Sequence, residues 1–228
     1  MLLTAAAALA MLQTDHWPEN PSVEFSGIPQ VAGTNVHIVS HNVTVELYER
    51  YASVSSTTLV KNDGPAGMAS FSIPRERAGD ENSGAATFMP KVTWVNQPVT
   101  MQAENSHATG SGKNTIYVGA LTGKGEMKAG GSYALRVSYL VPMGKAGFDR
   151  KQNLAAYDLS SKQSIGVLMC SFKYSRGVVF RLPEPRPNLR WEVGQRGVFK
   201  KITNYDGSAG IATLSYYPGG FEDIGGGG

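Results

Sequence analysis

A chain of 228 residues with 41% hydrophobic residues is long enough to bury a large core, which excludes global disorder. Its formal charge of +3 is spread along the chain rather than gathered into a basic stripe with interleaved aromatics, which argues against a nucleic-acid partner. A single cysteine excludes an internal disulfide, so the fold rests on core burial.

Residues 1–13, MLLTAAAALAMLQ, are an apolar, alanine-rich run of signal-peptide length, and Ala8-Leu9-Ala10 offers an A-x-A cleavage pattern. Spanning a bilayer takes about 20 apolar residues, so this run is too short, and no other stretch is a transmembrane candidate. No Lys or Arg precedes it. The export reading therefore implies a start upstream of Met1, and the alternative is a short helix packed on the domain. Export places the protein outside the cytoplasm: periplasmic, on the cell surface or secreted. Residues 14–33 carry Pro18, Pro21 and Pro29 and little periodicity, which predicts an extended leader strapped over the domain.

From residue 34 to 218 the pattern predicts one β domain. In HNVTVELYE, Val43, Val45 and Leu47 alternate with Thr44, Glu46 and Tyr48, as in a strand with one buried face. ASVSSTTLV continues in β-type residues until Asn62-Asp63-Gly64-Pro65 supplies turn chemistry. MASFSIP resumes, with Phe71 and Ile73 on one face, and Pro74 is expected to end pairing. Arg75–Ala86 reads as a polar loop, and KVTWVNQPVTMQA as a hairpin bent at Asn96-Gln97-Pro98. Glu104–Asn114 reads as a second soft loop before the strand TIYVGAL, and Lys124–Gly131 as a turn. YALRVSYLVP is the clearest strand, closed by Pro142. Lys145–Asn153 reads as a loop, and Leu154–Gln163 as the one short helix. IGVLMCSFKY, GVVFRLP, LRWEV, GVFKKIT and IATLSYY are further strands, with Cys170 as a small buried hydrophobe and a turn at Asn204–Ser208. Residues 219–228 read as a flexible, glycine-rich tail or as the truncated start of a linker. Many short strands punctuated by turn signals predict an all-β fold: an antiparallel β-sandwich with long polar loops and very little helix.

The run Val43–Pro74 resembles the core of the VIT domain, the vault protein and inter-α-trypsin inhibitor module, and its bacterial relatives. The likeness rests on an amphipathic strand, on Ala52 with Asn62 ten positions later, and on Phe71-Ser72-Ile73-Pro74 where the family has F-P-L-P. Lys128–Pro142 is similar to the glycine turn and Tyr-x-x-Pro strand of the same modules, so the likeness extends over residues 36–142. Ser72 departs from the family's first proline, and Ala66-Gly67-Met68-Ala69 stand where an acidic residue is usual. The resemblance implies a β-sandwich used for interaction or assembly and brings no catalytic residues. At the strand end Asn62 is suited to satisfying loop backbone through its side chain.

Motifs for chemistry are sparse. His37 and His41 share a face on a regular strand but stand about 13 Å apart, too far to share a metal. No H-E-x-x-H, C-x-x-C or G-x-S-x-G occurs, and GSGK at Gly110–Lys113 lacks the full phosphate-loop spacing. Glu76, Asp80 and Glu81 fall in the expected polar loop, Glu184 lies between prolines, and Glu222 and Asp223 are in the tail. None is at the end of an apolar strand flanked by aromatics, where a carboxyl with a raised pKa belongs. Trp94 alternates with Val92 and is expected in the core. The weak ligand-binding candidates are Trp17, Trp191, Tyr216 and Tyr217; the last two are adjacent, so on a strand one points each way.

The expected function is that of a non-catalytic extracytoplasmic module for protein–protein interaction, surface assembly or adhesion, with a protein partner or a second copy of itself, needing no cofactor. A glycan-binding module is the first alternative, requiring coplanar exposed aromatics, and a hydrolase with converging carboxylates is the second.

Overall fold

The computed structural model describes residues 23–79, 90–109, 115–142, 144–146, 152–174 and 187–216. The expected signal segment, most of the leader with Trp17, the GSGK stretch, the GVVFRLP strand, Tyr217 and the tail lie outside the described residues.

Sixteen strands and no helix make up the described chain: β1 (Val23–Ser26), β2 (Gln30–Ala32), β3 (Val36–Leu47), β4 (Tyr51–Asn62), β5 (Gly67–Gly79), β6 (Lys91–Trp94), β7 (Gln97–Pro98), β8 (Gln102–Thr109), β9 (Thr115–Met127), β10 (Ser132–Pro142), β11 (Gly144–Ala146), β12 (Gln152–Asp158), β13 (Ile165–Tyr174), β14 (Glu192–Gly194), β15 (Gly197–Tyr205) and β16 (Ile211–Tyr216). An eight-stranded sheet runs β14-β15-β13-β3-β4-β10-β6-β7, and a five-stranded sheet runs β1-β5-β9-β8 with β2 also on β5. A third sheet is β11-β12-β16. The ladders are antiparallel except β13 on β3, which is parallel.

Alternation along the strands explains the layering. Val45, Val54, Val60, Leu135, Val137 and Phe172 of the large sheet meet Phe71, Ile73 and Leu121 of the five-stranded sheet in one core. Tyr157 and Leu214 of the third sheet join that core, while its Leu154, Ala156 and Ile211 join a second cluster with Val23, Phe25 and Ile116. The all-β sandwich is as expected. Cys170 and Trp94 are buried, as their strand positions predict.

Several local expectations are corrected. The leader is structural from Val23 onward, because β1 and β2 both pair with β5 and bury Val23, Phe25, Ile28 and Val31. Pro74 does not end β5. It sits in the gap between Ser72, the last partner of β2, and Arg75, the first partner of β1, so its missing N–H costs the ladder nothing there. Arg75–Gly79 is strand rather than loop, held between β1 and β9. Glu104–Thr109 likewise belongs to β8, and Lys124–Met127 to β9, leaving the turn at Lys128–Gly131. The expected helix is β12: its LAAY run is buried on both faces, so it lacks the alternation that identifies a half-buried strand. The hairpin bends one residue earlier than expected, at Val95-Asn96, both with positive φ (51° and 66°), as a tight two-residue turn requires.

His37 and His41 do not share a face. The β3–β4 register shifts between Ile38 and Ser40, and the irregularity turns His37 outward, 3.1 Å from Asp63, and His41 into the core.

Asn62 acts as its position suggests. Its buried amide donates to the carbonyls of Pro65 (2.8 Å) and Lys128 (3.1 Å) and accepts from the N–H of Gly64 (2.9 Å). Asn62→Ala strands these groups and is expected to cost about 2–3 kcal/mol in urea unfolding. Asn62→Asp keeps the Gly64 bond but sets a carboxylate against two carbonyls, and is expected to lose at least as much. If both variants unfold at the wild-type urea midpoint, the amide does not hold the two turns.

Candidate functional site

A cleft of about 1120 Å³ opens where the five-stranded sheet meets the β6–β7 hairpin. Its walls come from separate parts of the chain: Gln30–Gly33, Ser70–Ser72, Trp94, Gln97–Thr100, Gln102, Glu104, Thr122–Lys124 and Lys162-Gln163. Register explains part of the convergence. Gln30, Ser72, Thr122 and Gln102 are cross-strand partners on β2, β5, β9 and β8, so four polar side chains fall in one row on one face.

Two of the four lining glutamines are committed to the scaffold. Gln30 donates to the Ile28 carbonyl (3.0 Å) and accepts from the Lys162 N–H (3.0 Å), and Gln163 accepts from the Val31 N–H (3.2 Å). These bonds fix the loop before β13 against β2. Gln97, Gln102, Thr100 and Ser70 are exposed and offer amides and hydroxyls to the cleft. Glu104, Lys124 and Lys162 are the charged lining residues, so the surface is rich in neutral hydrogen-bonding groups.

One wall is braced by aromatic rings. Trp94 stacks on Phe71 (5.7 Å between centroids, 20°) and on Tyr133 (5.3 Å, 3°), and its Nε1 donates to the Glu126 carbonyl at 3.1 Å. Glycines let the rings lie against β9: a Cβ at Gly125 would stand 2.5 Å from Trp94 Nε1, and one at Gly123 would stand 2.6 Å from Phe71 Cε2. With rings already stacked on it, the indole is a brace rather than a platform for a sugar.

A second group of chemically capable side chains is closed inside the molecule. His41 is fully buried, with Nδ1 2.8 Å from Thr58 Oγ1 and Nε2 2.9 Å from Tyr157 OH, and burial lowers its pKa to about 3. Tyr139 OH accepts from the Ser26 N–H (3.1 Å), and Ser26 Oγ donates to the Pro74 carbonyl (2.6 Å). Glu76 and Asp158 lie close enough to influence each other, and burial raises both carboxyls. Burial also pushes the Cys170 thiol well up. These bonds tie β3 and β4 to β12, and β10 to β1. Among the described residues no group of three or more His, Cys, Asp or Glu is placed to hold a metal ion.

Of the residues singled out from sequence, the two described, Trp191 and Tyr216, each pack on partners of their own. Trp17 and Tyr217 lie outside the described residues. Trp191 is half-buried, packs at 57° on Phe172, and donates its N–H to the Pro187 carbonyl (3.0 Å). Tyr216 is corrected as a ligand candidate: it points into the core, and its hydroxyl donates to the Tyr48 carbonyl at 2.6 Å. An aromatic pair that the sequence reading passed over, Tyr48 and Tyr51, stacks on itself at the β3–β4 hairpin (4.5 Å, 14°). The cleft glutamines were also missed. They belong to four stretches that only the sheet register and the loop before β13 bring together, and no local pattern marks them.

No family model and no curated relative matches the chain. Among solved structures it is similar to a Legionella pneumophila protein provisionally described as nutrient binding, with TM-score 0.59 and 13% identity over 87% of this chain and 73% of that one. It also overlaps a Parabacteroides distasonis protein provisionally described as a protease (TM-score 0.39, 6% identity, 82% and 41% of the two chains). A third match is yeast LTA4 hydrolase in complex with bestatin (TM-score 0.34, 8%, 78% and 28%). The first likeness establishes a shared fold; the other two, of which the chain spans less than half, carry no argument.

Proposed function

We propose that the chain is a non-catalytic binding module whose ligand occupies the cleft between the five-stranded sheet and the β6–β7 hairpin. The carrying observation is the lining: exposed amide and hydroxyl groups of Ser70, Gln97, Thr100 and Gln102 around about 1120 Å³, a surface suited to a neutral, hydrogen-bonding solute such as an oligosaccharide or an uncharged peptide. The fold shared with a protein provisionally described as nutrient binding is compatible with this reading. So is the burial of His41 and Cys170, which removes a base and a nucleophile from solvent. The apolar N-terminal run supports an extracytoplasmic location, and the VIT-like strand pattern supports an interaction role.

Self-association is the second reading, favoured by Val193, 65% exposed on β14 at one end of the large sheet. Two other edge strands speak against it. β7 has two residues, and β8 is irregular between Glu104 and His107, both means by which edges avoid pairing.

Thermal-shift screening of the purified chain against neutral oligosaccharides and uncharged peptides tests the cleft. At least one class is expected to raise Tm, and Gln97→Ala with Gln102→Ala is expected to weaken its binding about tenfold, the cost of losing roughly one hydrogen bond's worth of net affinity. A discrete oligomer by light scattering, with no solute shifting Tm, would replace this reading with assembly.

A further inference from the structure

The outward side chains of the eight-stranded sheet answer a question the sequence leaves open, namely what its plain Ser/Thr strands present to solvent. Because β4, β10 and β6 pair in register, Thr57–Arg136–Thr93 form one row across the sheet and Ser55–Ser138–Lys91 the next. Rows are about 7 Å apart along the strands and neighbours about 5 Å apart across them. These six residues, with Asn96, line a concavity of about 350 Å³ that shares no residue with the cleft.

Three observations point to an anionic occupant. Lys91 and Arg136 are diagonal neighbours on adjacent strands, and like charges so placed repel. Among the described residues no acid lines the concavity. Of the outward acids on the described strands of this sheet, Glu46 stands opposite Lys173 on β13, and Glu192 lies on β14 at the far end of the sheet.

The guanidinium is also held in place. Arg136 Nη1 donates to Asn96 Oδ1, and Asn96 is set there by the Val95-Asn96 turn. Val95 adopts φ 51°, as the two-residue turn requires, and its N–H donates to the Ala134 carbonyl at 3.0 Å, which seats the turn on β10 beside Arg136. The result is an Arg136 fork held beside hydroxyls and a second cation, the arrangement that recognises a carboxylate or sulfate.

We propose that this concavity is an oxyanion site for a carboxylate- or sulfate-bearing sugar unit of an extended acidic polysaccharide. The polysaccharide is favoured over a membrane or a nucleic acid by what surrounds the two cations. The polar rows continue onto β3 through Thr44 and Asn42, giving an extended hydrogen-bonding track, and among the described residues no aromatic lines the concavity for bases or lipid.

This site does not depend on the cleft, and its test is separate. Calorimetric titration of the full chain compares dextran sulfate, polygalacturonate, neutral dextran and phosphatidylserine vesicles. The expected result is salt-sensitive binding of at least one acidic polysaccharide and none of neutral dextran. Lys91→Gln with Arg136→Gln should weaken that binding at least tenfold, while Lys128→Gln, an exposed cation elsewhere, leaves it unchanged. Near-wild-type circular dichroism of the double variant excludes a folding loss, and Asn96→Ala is expected to weaken binding with both cations intact. Equal binding by the double variant, equal binding of neutral dextran, binding of vesicles alone, or no binding of either acidic polysaccharide would each overturn the proposal.

Discussion

Replacing His41 by alanine is expected to destabilise the fold by about 4 kcal/mol in denaturant titration near neutral pH. The imidazole is fully buried between β3, β4 and β12, and its two nitrogens meet Thr58 Oγ1 at 2.8 Å and Tyr157 OH at 2.9 Å. Alanine leaves two buried hydroxyls short of a partner and opens a cavity between layers, and both losses fall on the same spot. Tyr157→Phe removes the hydroxyl, with its bonds to His41 and Ser56, without opening a cavity and is expected to cost about 1–2 kcal/mol.

The same residue sets an acid limb of stability. Burial holds the His41 pKa at about 3, below its value in the unfolded chain, so between that value and about pH 6.5 the unfolded state binds more protons. Stability from the neutral ring is complete above about pH 6.5 and is lost as pH falls toward the folded pKa, by up to roughly 1.4 kcal/mol per pH unit. His41→Gln keeps a hydrogen-bonding side chain that does not titrate, and should unfold with a flatter acid limb. Parallel pH curves for the two proteins would mean that His41 is not buried neutral.

What was legible in the sequence follows from how each strand is covered. β3, β4, β10 and β13 have one face in the core and one in solvent, so period-two alternation marks them. β12 is covered on both faces and shows a continuous run. β8 carries a polar sequence, QAENSHAT, because main-chain bonds to β9 hold it and its exposed side chains bury little. Charged Arg75–Gly79 is strand for a related reason, having a partner on each side. The misplacement of His41 comes from one shifted register position, which composition does not announce. Asn62 could be read because its work is local. The cleft and the outer concavity could not, since their residues meet only through pairings far apart in sequence.

Glu76→Gln is expected to raise Tm by about 5 °C at about pH 8 and to flatten the alkaline limb of the stability curve. Glu76 lies across from Phe25 on one side and Val118 on the other, and its buried Oε2 has no hydrogen-bond partner among the described residues. Burial drives its carboxyl well above the ordinary range, and the Asp158 carboxyl nearby adds to the rise. Asp158 is itself raised by burial, though the hydrogen bond from the Ser160 N–H at 2.8 Å works the other way. Tyr139 is raised too, by burial first and then by Glu76, and contributes no compensating charge. Two such carboxyls in a closed space hold a proton more tightly than the unfolded chain does.

The sign is therefore opposite to that of His41. The stabilisation is fully present below the unfolded carboxyl pKa, about 4, and is lost as pH rises through the folded pKa values. Together the two groups give a dome, with the acid flank set by His41 and the alkaline flank by Glu76 and Asp158. Glutamine needs no proton to be neutral, so the variant should match the wild type near pH 4 and exceed it as pH rises. Because the pair is coupled, Asp158→Asn added to Glu76→Gln should gain less than the sum of the two single changes. A stability difference between wild type and Glu76→Gln that stays constant from acid to alkaline pH would show that Glu76 ionises freely, and the alkaline flank would need another origin.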